Sequence, residues 1–432
     1  MKKIILIDLN CILIDSLSKS KLLEIDTIII GFDSKISYIK EKYKVKNVFS
    51  MESINEFYIT EDINLDYDLI KNFRDTQLKV EHFFSRVTTD INSIQYIYYS
   101  ALSYWYEKFK SDDIYAVFSA GLEYGSTFDT VIYDIAKKYN KKVLIMEVAM
   151  DNGTISANQL FNYVTKKYMK INPISNGLKP LNVNDFLFNA HKIVPNIKSK
   201  SMKDLVRKIL NKVGGYLLIN FINQLLGRFR SIHHSFEVSY WTYLKNYLYT
   251  KNLSKYYKLK CVEIDTNKKY IYYSLHVEPE ASTLARVAFY NQLVIIKTIS
   301  QCLPDGWILY VKDHPHQSKD LNNASRYYFL TTIEKFRTKR FYDEISKLKN
   351  VYLLSLEVDS KIIVKHAQAI ACINGTVIVE SINNNKPLLI FSQETTPFTN
   401  VEGVNDINNL SECRLAINRI EFDNKINYTN YT

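Results

Sequence analysis

The sequence predicts an α/β chain built from two doubly wound, Rossmann-like units in tandem. Three observations lead there. At 432 residues the chain exceeds what one ordinary core accommodates, and two units of roughly 150–230 residues are the natural division. In both halves, short and continuously apolar runs alternate with amphipathic stretches, the pattern of parallel strands covered on both faces by helices. Apolar residues make up 47% and charged residues 23%, with only 8 Pro and 11 Gly, a globular composition without low-complexity linkers.

In the first half, Ile4–Ile7 and Thr27–Gly31 are Ile-rich runs bounded by charges and read as buried strands. Asp113–Phe118 reads as a third strand, Thr127–Tyr139 as a helix and Lys142–Glu147 as a further strand. An aromatic-rich helical block, Asp66–Lys110, lies between the early strands and Asp113. Residues 150–200 are polar and read as an extended connection. Lys203–Arg230 follows, an apolar centre with basic ends. Its apolar part, Gly214–Gly227, is short of the roughly 20 residues that span a bilayer. It reads either as a helix packed on the protein or as one lying on an anionic membrane surface.

The second alternation begins near Lys268. Tyr270–His276, Trp307–Val311, Val351–Ser355, Ala369–Ile373 and Pro387–Phe391 read as strands. Ser282–Cys302, Arg337–Leu348, Ser360–Ala367 and Thr376–Asn383 read as the helices between them, with Leu284, Val287, Leu293 and Ile296 inward. Two such units in tandem point to a ligand bound near the carboxyl ends of the strands.

The net charge of +11 favours anionic partners such as nucleotide phosphates or lipid headgroups. No dense basic cluster interleaved with aromatics, zinc-finger spacing or basic zipper is present, which argues against nucleic acid. The five cysteines, Cys11, Cys261, Cys302, Cys372 and Cys413, are odd in number and widely scattered. They fit neither a disulfide framework nor a zinc site, and read as buried thiols in a reducing cytosol. The opening MKKIILIDLNCILID resembles a signal peptide only at its lysines: Asp8 and Asp15 interrupt the apolar run, and a strand explains it better.

Three clusters at strand ends of the second half can carry chemistry. The first is His276-Val277-Glu278-Pro279-Glu280-Ala281-Ser282, two carboxylates around a proline that restricts the residue before it. A carboxylate there can serve as a general base or a nucleophile, or simply begin a helix with Glu280 in its first turn. The second is Lys312-Asp313-His314-Pro315-His316, whose cations suit a leaving phosphate, or else form a solvated turn. The third is Asn374-Gly375-Thr376, where a helix start offers N–H groups to an anion or Thr376 acts as an N-cap. Glu380, one turn further, is placed to accept from ribose hydroxyls.

Taken together, these clusters resemble the capsule-polysaccharide biosynthesis glycosyltransferases, including the bacterial Kdo transferases. An acidic E-x-[DE]-A-S turn, a K-x-H-P motif and a G-T before a donor-site helix occur in the same order: Glu278–Ser282, Lys312–Pro315 and Gly375-Thr376. The His-Pro element is also similar to that of bacterial sialyltransferases, where it contacts the phosphate of a CMP-sugar. Arg340-Phe341-Tyr342 is a looser match to an aromatic segment between the second and third motifs.

The resemblance covers about Lys268–Phe391 and implies a GT-B fold, two Rossmann-like domains facing a central cleft. Residues 1–245 would be the acceptor-side domain with a helical insertion, and 246–432 the nucleotide-sugar donor domain. By resemblance, Glu280 or Glu278 acts at the anomeric carbon and His314 faces the donor phosphate. Lys312, His314, Pro315, Gly375, Thr376, Glu380 and Ser282 would hold the donor. Glu280 stands where Kdo-transferase patterns favour Asp, and the extra methylene changes its reach. On the acceptor side the candidates are Glu123, between a strand and a helix, and Glu147, ending the next strand; a structural role is the alternative for each.

The expectation is therefore a cytoplasmic, metal-independent glycosyltransferase with no cofactor. Its partners would be a nucleotide-sugar donor, CMP-linked acidic sugars among them, and a glycan or glycolipid acceptor. Peripheral contact with an anionic inner membrane and no binding of nucleic acid are also expected. The alternatives are a CDP-polyol phosphotransferase of the teichoic-acid type, a non-catalytic polysaccharide assembly protein, and a nucleotide-sugar epimerase.

Overall fold

The computed structural model describes residues 1–9, 11–120, 125–151, 154–164, 167–170, 181–182, 240–284, 287–318, 332–392 and 403–422. They form two separate sheets. The first half contains β1 (Lys2–Ile7), α1 (Cys11–Ser18), β2 (Leu23–Ile30), α2 (Ile36–Tyr43), β3 (Asn47–Ser50) and α3 (Ile54–Thr60). It continues with α4 (Tyr67–Asn72), α5 (Arg74–Phe84), α6 (Ile91–Ser111), β4 (Ile114–Ser119), α7 (Thr130–Lys138) and β5 (Lys142–Asp151). Its strand order is β3-β2-β1-β4-β5, parallel throughout.

Strand β1 shows why the apolar run forms a central strand. Ile4 and Leu6 pack on one face with Ile14 and Ile39 of α1 and α2. Ile5 and Ile7 pack on the other with the aromatic core of α3 to α7. A strand buried on both faces needs apolar residues at every position, not every second one. Helix α6 presents Ile94, Tyr98, Ala101, Trp105 and Phe109 to that core, a stripe at helical spacing. Its start is fixed by Asp90, whose carboxylate accepts from the Ser93 N–H at 3.2 Å.

Residues 150–200 depart from the expected connection. Among those described, β6 (Thr154–Asn162), β7 (Lys167–Lys170) and β8 (Leu181–Asn182) extend the first sheet in antiparallel fashion. Antiparallel strands can leave one face to water and need no continuous apolar run, so their polar sequence conceals them. The Lys203–Arg230 segment lies outside the described residues.

The second half contains α8 (Tyr240–Lys260), β9 (Cys261–Val262), β10 (Tyr270–Ser274), α9 (Ala281–Leu284), α10 (Gln292–Ser300), β11 (Ile308–Lys312) and α11 (Pro315–Ser318). Then come α12 (Ile333–Phe336), α13 (Lys339–Ser346), β12 (Val351–Leu354), α14 (Ser360–His366), β13 (Ala369–Cys372), α15 (Val377–Asn383), β14 (Leu388–Ile390), β15 (Val404–Asp406) and α16 (Leu410–Phe422). The order β15-β14-β13-β10-β11-β12-β9 is parallel throughout. Apart from the edge strand β9, this is the Rossmann order, and the strand order reverses between β10 and β13. Ile271, Tyr273, Leu309 and Val311 pack on one face, and Tyr270, Tyr272, Ile308 and Tyr310 on the other.

Two local readings change. The helix expected over Ser282–Cys302 is broken into α9 and α10. Asn291 accepts from the N–H groups of Leu293 and Val294, and this cap restarts the helix after a turn. The division drawn at 245/246 falls inside α8, whose Leu253 and Tyr257 pack into the second core.

The two halves touch beside the acidic turn. His82 Nδ1, near the end of α5, donates to the Leu284 carbonyl at 3.1 Å, and Thr332 Oγ1 donates to the Ser85 carbonyl at 2.6 Å. Among the described residues, no helix is long and apolar enough to cross a membrane.

Candidate functional site

A cavity of about 400 Å³ opens at the carboxyl ends of β10, β11 and β13, where the second sheet's strand order reverses. Its walls include His276, Glu280, Lys312, His314, Gly375 and Glu380. Pro315 and Thr376 also line it. Three sequence clusters separated by up to a hundred residues are thus brought to one place by the parallel order of their strands.

The turn after β10 is held by side chains that imitate backbone pairing. Buried Gln292 accepts from the His276 N–H at 2.7 Å and donates to the His276 carbonyl at 3.3 Å. Buried Gln317 does the same for Glu278, at 2.8 and 3.0 Å. The Glu278–Pro279 peptide is cis. A turn with no strand partner would leave these groups unpaired, and each amide supplies one donor and one acceptor.

Below the turn lies a buried ionic cluster. Arg337 is fully buried; its Nη2 donates to the His276 carbonyl at 2.7 Å and lies 3.4 Å from Glu278 Oε2 and 3.7 Å from Asp313 Oδ1. The guanidinium carbon sits 4.1 Å from the Phe341 ring centroid. Asp313 accepts from the Tyr342 hydroxyl and from the His314 N–H. Burial pushes the Glu278 carboxyl above the ordinary range, and the nearby Arg337 offsets this only in part. Burial also works against the charge on Arg337, but Asp313 and Glu278 overcome it and hold the group protonated. Glu278 is therefore packed under the turn, while Glu280 faces the cavity.

On the open side, the last residue of β11, Lys312, runs along the cavity and donates to the Val358 carbonyl at 2.5 Å. Gly375 holds a φ of +105°, a left-handed conformation that favours glycine, and brings its loop over the His276 ring. The Asn374 N–H donates to His276 Nε2 at 3.2 Å. Thr376 starts α15 without a side-chain cap bond, so the N-cap alternative is not realised. Glu380 is half-buried. Burial raises its carboxyl above the usual range, Asp359 adds to this, and Lys312 opposes it.

The remaining sequence candidates are placed less fully. Ser282 lies in α9, but its side chain is outside the described set. Glu123 is outside the described residues. Glu147 lies in β5, of which only the backbone is described there. The sequence reading placed Asn374 in the third cluster but did not single out Arg337, Gln292 or Gln317. No local signal marks them, because each acts on a turn distant in sequence. Among the described residues, no group of three or more His, Cys, Asp or Glu could hold a metal ion.

The family described as capsule polysaccharide biosynthesis protein matches residues 171–429, well over half of the chain and the whole second sheet. The chain belongs to this family. All three motif clusters of this capsule polysaccharide biosynthesis protein lie inside the matched residues, and the acceptor-side candidates Glu123 and Glu147 lie outside them. No curated protein matches the sequence.

Solved structures similar to it include UDP-GlcNAc 2-epimerase from Neisseria meningitidis bound to UDP-GlcNAc, at 11% identity and a TM-score of 0.25 over 98% of this chain and 92% of that one. Another is KpsC of Thermosulfurimonas dismutans, a beta Kdo 2,7 transferase, at 15% identity and a TM-score of 0.21 over 39% of this chain and 51% of that one. A third is CalG4, the calicheamicin glycosyltransferase, at 10% identity and a TM-score of 0.27 over 98% and 90%. Likeness at this level carries no weight here; the fold rests on the strand order and the site on its geometry.

Proposed function

We propose that this capsule polysaccharide biosynthesis protein is a GT-B glycosyltransferase. It transfers a sugar from a nucleotide-sugar, a CMP-linked acidic sugar first among them, to a capsular or lipooligosaccharide acceptor without a metal ion. One observation carries the reading: carboxylates, three cationic or imidazole side chains and a glycine loop converge on one cavity at the switch point of a Rossmann sheet.

In this reading Lys312 and His314 meet the negative charge that develops on the leaving phosphate. The Gly375-Thr376 loop and Glu380 hold the phosphate and ribose. Glu280 attacks the anomeric carbon or takes the proton of the acceptor hydroxyl. Glu278 supports the turn from below. The net charge of +11 favours residence near an anionic inner leaflet, where lipid-linked acceptors would be met.

The test is a thermal-shift screen against CMP, CDP, UDP, GDP and ADP. A nucleotide that binds only the folded chain adds roughly 2.7 kcal/mol of stability at a hundredfold excess over its Kd. Selective stabilisation by CMP that disappears in His314→Ala is the expected result. A preference for UDP or GDP would remove the CMP-sugar assignment, and CDP would favour a polyol-phosphate donor. Silence toward every nucleotide would favour a non-catalytic assembly role.

A further inference from the structure

We propose that His276 is the positioning residue for Glu280, its Nδ1–H orienting the carboxylate toward the cavity; this rests on the reading that Glu280 performs the chemistry. One ring nitrogen is committed and the other faces the acid. Nε2 accepts from the Asn374 N–H at 3.2 Å, and a nitrogen that accepts an N–H carries no proton of its own. The proton of the neutral ring is therefore on Nδ1, which lies 3.6 Å from Glu280 Oε2.

The imidazole is rigidly supported. Gln292 and Arg337 hold the His276 backbone, at 2.7 Å from Gln292 to the N–H and 2.7 Å from Arg337 to the carbonyl. The Gly375 loop closes over Cε1, where an added Cβ would stand 3.5 Å away. The acid is the looser member: its side chain is 42% exposed against 11% for His276. A glutamate on a solvent-facing turn has rotamers to choose among, and a fixed donor beside it narrows the choice. The separation of 3.6 Å is just beyond hydrogen-bond length and contracts when substrate fills the cavity, as pairs of this kind tighten in complexes. The ring thus ties the ends of β10 and β13 together with one nitrogen and aims the acid with the other.

Nuclear magnetic resonance of the full chain with labelled histidine and glutamate tests this without any substrate. The His276 signals, identified by their loss in His276→Asn, should show a protonated Nδ1 and a bare Nε2. Glu280→Gln, at a partly exposed position, should shift the Nδ1 resonance. Asparagine places its amide near the Nδ1 position and glutamine near Nε2. The Glu280 carboxyl carbon should therefore keep its wild-type shift in His276→Asn and move to that of a solvated glutamate in His276→Gln. A proton on Nε2, or an Nδ1 resonance indifferent to Glu280→Gln, would overturn the proposal. If these signatures hold while every nucleotide fails to stabilise the chain, the pairing stands and the donor reading falls.

Discussion

Arg337 and Glu278 form a pair sealed beneath the acidic turn, with Nη2 3.4 Å from Oε2 and side-chain exposures of 0% and 10%. Glu280, two residues along, has a side chain 42% exposed and lines the cavity. The sequence offers these two acids as equivalents around a proline. Their surroundings separate them: one holds the turn and the other faces the cavity.

Arg337→Met should therefore be costly. It leaves Glu278 and Asp313 as buried acids without their cation, and breaking such a cluster from one side costs about 3–5 kcal/mol. Urea unfolding measures the loss. Glu278→Gln leaves Arg337 with Asp313 and should cost less.

Gly375→Ala should lose stability and weaken nucleotide binding together. The φ of +105° is strained for alanine, whereas the nearest contact of the new Cβ, His276 Cε1 at 3.5 Å, is ordinary. The cost is conformational, about 1–2 kcal/mol. Melting temperatures with and without nucleotide separate the two effects.

Glu380 gives a pH dependence of definite sign. Its native carboxyl sits above the ordinary range, chiefly through burial. A raised native value means that the folded state binds the proton more tightly than the unfolded state does. The stability from this is complete below the ordinary glutamate value of about 4.3 and is lost as pH rises through the native value. Glu380→Gln removes that slope. Relative to wild type, the variant should become more stable as pH increases from acid to neutral, as read from denaturation midpoints across the range.

Trp105→Phe serves as a remote control. Trp105 is fully buried and its Nε1 donates to the Tyr58 hydroxyl at 2.6 Å. Losing the bond and part of the ring should cost on the order of 2 kcal/mol, while nucleotide responses scale only with the lower baseline. Calorimetry with the nucleotide selected by the screen would check both halves.

Much of the second sheet was legible because a strand buried on both faces must be continuously apolar, as Tyr270–Tyr273 and Ala369–Cys372 are. The motif residues were legible for a related reason: Lys312 and Gly375 each follow such a run, and parallel strands bring their ends together. The break at Asn291 was not, since Leu284 through Ile296 keep apolar residues at helical spacing on both sides of it. Arg337 was equally hidden. A charged residue announces exposure, and only partners supplied by β10, β11 and α13 make its burial tolerable. The antiparallel strands β6 to β8 escaped because polar composition reads as loop.

The bond from His82 to the carbonyl of Leu284 means that the piece of chain carrying Glu280 is anchored partly by a helix belonging to the other sheet. Substitutions near the end of α5 therefore bear on how Glu280 is held at the cavity. A library that varies α5 for solubility alone would, at His82, remove a bond to the segment that carries Glu280.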